Sequence, residues 1–314
     1  MRTFLAVLTV LPLVLYAQQP KKQDSITPLG EVILYDDLLQ KNVTGIVPSE
    51  VIGPKTFNDY SPADLISAVN QIPGVLVLSG ALNTNRITIR GVGSRTPYGT
   101  NKLRMYYNNI PITDGGGSST IEAFDLENMG SVEISKGPKA TAYGALLGGA
   151  IILNPKRPLE NETVLRNNFT AGSWGLIKNN LAFFHKDDKI SLDVHYGHLQ
   201  TDGYRENSRF ERNGVMVGAS FQLDKSNSLS LLVNHIDYMA QIPSSISQTA
   251  MDEDPTQAAF TWKMAQGFED NNFTLTAISH EHRFHTSLKS QMALFYTYLD
   301  HYEPRPFNIL DEFT

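Results

Sequence analysis

Val215-Met216-Val217-Gly218-Ala219-Ser220-Phe221-Gln222-Leu223 places an apolar side chain at every second position. Successive side chains of an extended chain point to opposite faces. Val215, Val217, Ala219, Phe221 and Leu223 therefore share one face, and Met216, Gly218, Ser220 and Gln222 the other. The same alternation sets Ile190, Leu192, Val194 and Tyr196 against Ser191, Asp193, His195 and Gly197. Seven such segments follow residue 158, near 163–171, 176–186, 189–200, 211–223, 228–240, 272–285 and 287–300. Several exceed the ~9–11 residues that a tilted strand needs to cross a bilayer.

The links between them alternate in length. Asp187-Asp188, Asp224–Asn227 and Thr286 are short; 201–210, 241–271 and the stretch after His301 are long, with 171–175 a short member of the long class. Tight turns at one end and long loops at the other suit an antiparallel barrel in an outer membrane. A soluble β-sandwich also gives alternating strands, usually shorter ones, and its loops need not alternate in length. The pattern favours the barrel and leaves the sandwich open.

Upstream the texture differs. Arg2, the apolar run Phe4–Tyr16 and Ala17 read as a signal peptide over 1–17, since the run is too short to span a bilayer as a helix. Residues 18–36 are a polar flexible segment carrying the strand-forming run Glu31-Val32-Ile33-Leu34-Tyr35. Residues 37–158 read as a compact α+β domain. Ser61 caps and Pro62 opens a helix over 62–72, with Leu65, Ala68, Val69 and Ile72 on one face and Pro73-Gly74 as its stop. Strands are expected at 75–78, 86–90, 103–107, 131–135 and 150–153, too short to stand without a surrounding surface.

Five motifs in this domain stand in a recurrent order: Ile72-Pro73-Gly74-Val75; Ile87-Thr88-Ile89-Arg90-Gly91; Met105–Pro111; Val132-Glu133-Ile134-Ser135-Lys136-Gly137-Pro138; and Ala142-Tyr143-Gly144 leading to Gly148–Asn154. Together they resemble the TonB-dependent outer-membrane receptors. The resemblance implies a plug domain followed by the first strands of an antiparallel transmembrane β-barrel, with 159–314 its truncated N-terminal part. Such barrels have about 22 strands when complete, against about seven here. Two motif positions differ from the family. Asn108-Asn109 replaces Asp-Gly, and both still suit a turn with φ > 0. Lys136 replaces Arg, keeping the charge without the bidentate fork.

The resemblance also assigns sites. Glu31–Tyr35 would be the TonB box, a tethered strand that adds to the sheet edge of a periplasmic TonB-type energy-coupling protein; an ordinary first strand is the alternative. The loops 91–101 and 113–120 would form the plug apex. There Arg95, Thr96, Tyr98, Asn101, Ser118 and Ser119 are candidate contacts for an iron chelate, with Arg suited to a carboxylate-rich one. Arg90 and Lys136 are expected to lock the plug, with partners on the lumen-facing wall. The implied function is energy-coupled uptake of a siderophore or ferric dicitrate, iron arriving as a chelated ligand and not as a cofactor. A cobalamin or oligosaccharide receptor, or a secreted β-rich binding or adhesion protein, is the alternative.

Other classes find no support. A net charge of −6 gives no basic surface for nucleic acid. The absence of Cys excludes disulfides and thiolate metal sites. Gly91-x-Gly93 lacks the third Gly of a dinucleotide loop, no nucleophile elbow is present, and His280-Glu281-His282 is not a zinc-protease spacing, although its two His share a strand face. No enzyme activity is expected.

Overall fold

The computed structural model describes residues 49–60, 66–82, 84–94, 102–113, 117, 119, 124–137, 147–158 and 160–306. The first unit is built from β1 (Ser49–Ile52), the short helices α1 (Pro54–Asn58) and α2 (Ile66–Val69), the hairpin β2 (Val75–Ala81) and β3 (Thr84–Ile89), then β4 (Arg104–Tyr107), β5 (Ile110–Pro111), β6 (Met129–Lys136) and β7 (Gly149–Pro155). A five-stranded sheet has the order β1-β6-β7-β4-β5, antiparallel except where β4 meets β7. β2 and β3 form a separate pair.

All five expected strands are present, most of them longer than the apolar runs that announce them. The helix expected over 62–72 is described only as α2, and 61–65 lie outside the described residues. Its C-terminal end stops early because Asn70 turns its amide onto the backbone of Val77: Nδ2 donates to the Val77 carbonyl at 3.0 Å, and the Val77 N–H donates to Oδ1 at 2.7 Å. An Asn side chain that mimics backbone in this way competes with helix propagation. At Asn108-Asn109 a hairpin forms as expected, Tyr107 opposing Ile110 and Asn108 taking φ +54°. Gly149 must be glycine: at φ +124° a Cβ would lie 2.0 Å from the Ser135 carbonyl oxygen.

Ala68, Val69 and Ile72 bury one helical face against Val75, Val77, Met105, Val132, Ile134, Ile151 and Leu153. Full burial of one such large aliphatic chain is worth ~1.5–3 kcal/mol, so a few contacts replace the width these strands lack.

The second unit is a seven-stranded antiparallel sheet in which each strand pairs with its neighbour in sequence. Its strands are β8 (Glu162–Ala171), β9 (Ile177–Lys186), β10 (Ile190–Thr201), β11 (Phe210–Gln222), β12 (Asn227–Gln241), β13 (Phe268–His285) and β14 (Leu288–Tyr302). These are the seven segments expected, within a few residues at each end. Short turns join them at one end, after β9, β11 and β13, and longer loops at the other. Asp187 and Asp224 build two short turns alike: each carboxylate accepts the N–H groups two and three residues on, at 2.7–2.9 Å. Those bonds hold both carboxyls below the usual range.

The alternation separates two environments. Val215, Leu231, Val233, Tyr196 and Ile278 are exposed on the outer face, whereas Met216, Leu232, Phe273 and Leu275 are buried in the same core as the first unit. The sheet wraps the first unit with its inner face. No helix among the described residues is long and apolar enough to cross a membrane, a test that does not bear on strands. The loop 242–267 does hold two helical turns that the sequence reading did not foresee, α3 (Gln248–Glu253) and α4 (Phe260–Ala265). The Ser247 hydroxyl caps α3 by accepting the Ala250 N–H at 3.2 Å.

Candidate functional site

A single turn of 3-10 helix, Leu126–Asn128, precedes β6 and is the polar centre of the contact between the two units. Asp125 caps it, its Oδ1 accepting the Glu127 N–H at 3.2 Å. Each polar side chain of the turn then meets the sheet. Arg212 of β11 donates from Nη2 to Asp125 Oδ2 at 2.7 Å. Lys178 of β9 places Nζ 2.5 Å from Glu127 Oε2 and 4.0 Å from Asp125 Oδ1. Asn168 of β8 donates to Glu127 Oε1, and Asn180 of β9 to Asn128 Oδ1, both at 2.8 Å. The bare face of Gly197 lets this happen, because a Cβ there would come within 3.2 Å of Asp125 Oδ2.

Removing charges from water costs several kcal/mol per ion, and only good geometry with further hydrogen bonds offsets it. Here Lys178, Arg212 and Asp125 are all nearly buried, at 5%, 11% and 12% side-chain exposure. Burial alone would raise the Asp125 carboxyl, but Arg212, Lys178, the Glu127 N–H and His195 together hold it below the usual range. Beside this polar centre, Phe124 stacks on Tyr107 at 5.2 Å and meets Phe273 of β13 edge-on at 6.5 Å.

A second polar group lies nearby on β10. Asp193 and His195 are almost fully buried, with Asp193 Oδ2 3.4 Å from His195 Nε2. Gly218 of the paired strand leaves room for this carboxylate. Burial, and then the charge of Asp193, raise the Tyr107 hydroxyl above its ordinary value, so it stays protonated.

Residues 41–150 match the model of the TonB-dependent receptor plug domain. These residues are a TonB-dependent receptor plug. The whole described fold, plug and adjoining wall, is that of such receptors. It superposes on the unliganded ferric citrate transporter FecA with a TM-score of 0.70 at 17% identity, covering 84% of this chain and 42% of that one. Against the ferric yersiniabactin uptake receptor FyuA of Yersinia pestis the TM-score is 0.68 at 14% identity, covering 83% and 42%. A ferrioxamine receptor of Yersinia enterocolitica is 25% identical over 230 residues, which make up 70% of this chain and 30% of that receptor. The chain thus spans less than half the length of the relatives it matches.

With the plug identified, the sequence-derived sites can be placed. Glu31–Tyr35, Arg95, Thr96, Tyr98, Asn101 and Ser118 lie outside the described residues. Ser119 is 2% exposed; its hydroxyl lies 2.7 Å from that of Thr113 and donates to the Leu103 carbonyl at 3.3 Å, which fixes the base of the loop from inside. Lys136 is buried but engages the plug itself: Nζ donates to the Pro73 carbonyl at 2.8 Å and to Glu50 Oε1 at 3.4 Å. Arg90, at φ +51°, packs its side chain over Gly74 and Gly137, again within the plug. Among the described residues, Lys136 therefore finds its partners in the plug itself, and Arg90 lies against the plug's own turns. The ion pairs that cross to the wall are those of Asp125 and Glu127, which the sequence reading missed. Asp125-Leu126-Glu127-Asn128, a good capping residue opening a polar turn before an apolar strand, is the signal that could have drawn attention to them.

His280 and His282 do share a strand face, but Nε2 of one and Nδ1 of the other both address the amide oxygen of Asn227, at 3.2 and 2.8 Å. On the opposite, long-loop side, Arg205 donates to the Ser244 and Gln257 carbonyls and Asn207 to those of Ile242 and Gly267. Lys263 bonds Glu206 at 2.6 Å. These bonds fold the loop 242–267 over its shorter neighbour and leave a cleft of about 400 Å³ lined by Glu206, Ser247, Phe260 and Lys263.

Proposed function

We propose that this chain is the plug-bearing part of an outer-membrane receptor for energy-coupled uptake of an iron chelate, a siderophore or ferric dicitrate. The observation that carries the reading is the plug seated inside a strand wall by the ion pairs of Asp125 and Glu127. A plug held this way closes a pore and needs work to move. The outer membrane holds no nucleotide supply, so the work has to come from a partner.

Glu31–Tyr35 suits that role: a periplasmic TonB-type protein would take it up as an added strand. Residues 1–17 would be removed on export. Arg95, Thr96, Tyr98, Asn101 and Ser118 would meet the chelate at the plug apex, and the loop 242–267 would stand on the same outer side. The relatives are transport receptors, and the role proposed is capture and passage, not catalysis. Deleting residues 31–35 from the gene is expected to abolish growth on the chelate as sole iron source while leaving chelate binding to whole cells intact. Uptake that survives the deletion would overturn the coupling assignment.

A further inference from the structure

β13 and β14 carry a group of side chains that the plug contact does not use. Their register pairs Asp270 with Tyr302 and Asn271 with His301, which sets residue 269 opposite residue 303. Residues two apart share a face, so Glu269, Asn271, His301 and Glu303 lie on the face of Phe273 and Leu275, the face that packs on the plug. They sit at the long-loop end of that face. One ligand atom each from Glu269, His301 and Glu303 falls within 4.8 Å of the others.

Three features separate this group from an ordinary cluster of surface acids. Glu269 is partly buried beside Asn271 and Arg305, yet its Oε2 atom is shielded from solvent without a hydrogen bond of its own, and such an oxygen is costly unless a cation or donor meets it. His301 Nδ1 lies 2.7 Å from the Asn271 amide oxygen; that oxygen only accepts, so Nδ1 carries the proton and Nε2 presents its lone pair. Nε2 is directed at Glu303, 3.4 Å from Oε2. Ligands of a tetrahedral ion at ~2.1 Å lie ~3.4 Å from one another, so only the Glu269 arm has to swing inward. Arg305 also bonds Glu303 and takes part of its charge, leaving the other lone pairs of that carboxylate for an ion.

We propose that Glu269, His301 and Glu303 form a binding site for a divalent cation of the zinc class at the outer end of the lumen wall. One imidazole with two carboxylates suits Zn²⁺, Co²⁺ or Ni²⁺ better than Ca²⁺ or Mg²⁺, which favour all-oxygen sets. Asn271 is the positioning residue that fixes the imidazole tautomer. The site rests on side-chain geometry and does not depend on the uptake of an iron chelate.

The test titrates the protein, purified in detergent with its whole natural reading frame, with CoCl₂ followed by visible absorption and with ZnCl₂ followed by calorimetry. One saturable equivalent is expected. His301→Ala and Glu269→Gln should each weaken it at least ~10-fold, while His285→Ala, at the opposite end of β13, leaves it unchanged. If either of the first two fails to fold, Glu303→Gln, just past the end of β14, decides in its place. Binding of equal strength in these variants would mean adventitious ions on surface histidines, and no saturable binding up to ~1 mM would mean no site; either overturns the proposal.

Discussion

At Asp125, two cations and a backbone N–H converge on one carboxylate that is nearly buried. Its replacement by Asn keeps the shape and leaves Arg212 and Lys178 short of a counter-charge, and removing one partner of a buried pair costs about 3–5 kcal/mol. Asp125→Asn is therefore expected to lower plug stability by that order, read as faster hydrogen exchange of plug amides. The same carboxylate sets a pH dependence. Its folded-state pKa lies below the unfolded one, so its stabilisation is complete above the usual carboxylate range of about 4 and is lost as pH falls through the depressed folded value. Protection factors of plug amides, with the intrinsic slowing of exchange in acid divided out, should fall at the acid end between pH 7 and 3 in the native protein, and Asp125→Asn should remove that part of the dependence. A variant with the native acid limb would assign the dependence to another group.

Among the elements, the wall strands were the most legible, because a period of two with tight turns is a local property that each segment states for itself. Val215 to Leu223 declares β11 without reference to anything distant. Residues 61–65, where the helix was expected to begin, and most of the expected apex loops fall outside the described residues, and the early stop at Asn70 depends on a bond to Val77 that no helical periodicity records. α3 and α4 were missed for another reason: a one-turn helix shows no repeating apolar face, only a cap such as Ser247. The orientation of the strands yields its own expectation. Val233 stands mid-strand on the outer face, between Val217 and Thr276 of the adjacent strands. In lipid, Val233→Arg should cost ~2–4 kcal/mol and reduce the amount of receptor in outer membranes, whereas Leu223→Arg, in a turn beside Lys225, should cost ~0–1 kcal/mol. Equal, small effects at both positions would place the sheet in water and favour a soluble sandwich.

For the molecule as a whole, the question is whether plug and wall form one cooperative unit or two that touch. The plug strands are too short to stand without covering surface, and the core cluster runs without a break from Val132 and Ile134 to Leu232, Phe273 and Leu275 of the wall. The polar lock was illegible in the sequence for the same reason that it matters: Asp125 and Arg212 are 87 residues apart, and nothing local to either names the other. Lys136 shows the converse, a charge in a recognisable motif whose partner proved to be Glu50 of the plug itself. A double-mutant cycle separates the two views. If the pair joins plug to wall as one unit, Asp125→Asn and Arg212→Gln should be non-additive in denaturant unfolding of the detergent-solubilised protein, with a coupling of ~1–3 kcal/mol, because the second change removes a charge the first has already stranded. The cycle of Lys136→Gln with Arg212→Gln should be additive within ~0.5 kcal/mol, since Lys136 is bonded within the plug to Pro73 and Glu50 and shares no partner with Arg212. Additivity in both cycles would mean that the plug unfolds independently of the wall, and that apolar contact at Phe124 and Phe273, not the Asp125 lock, holds it in place.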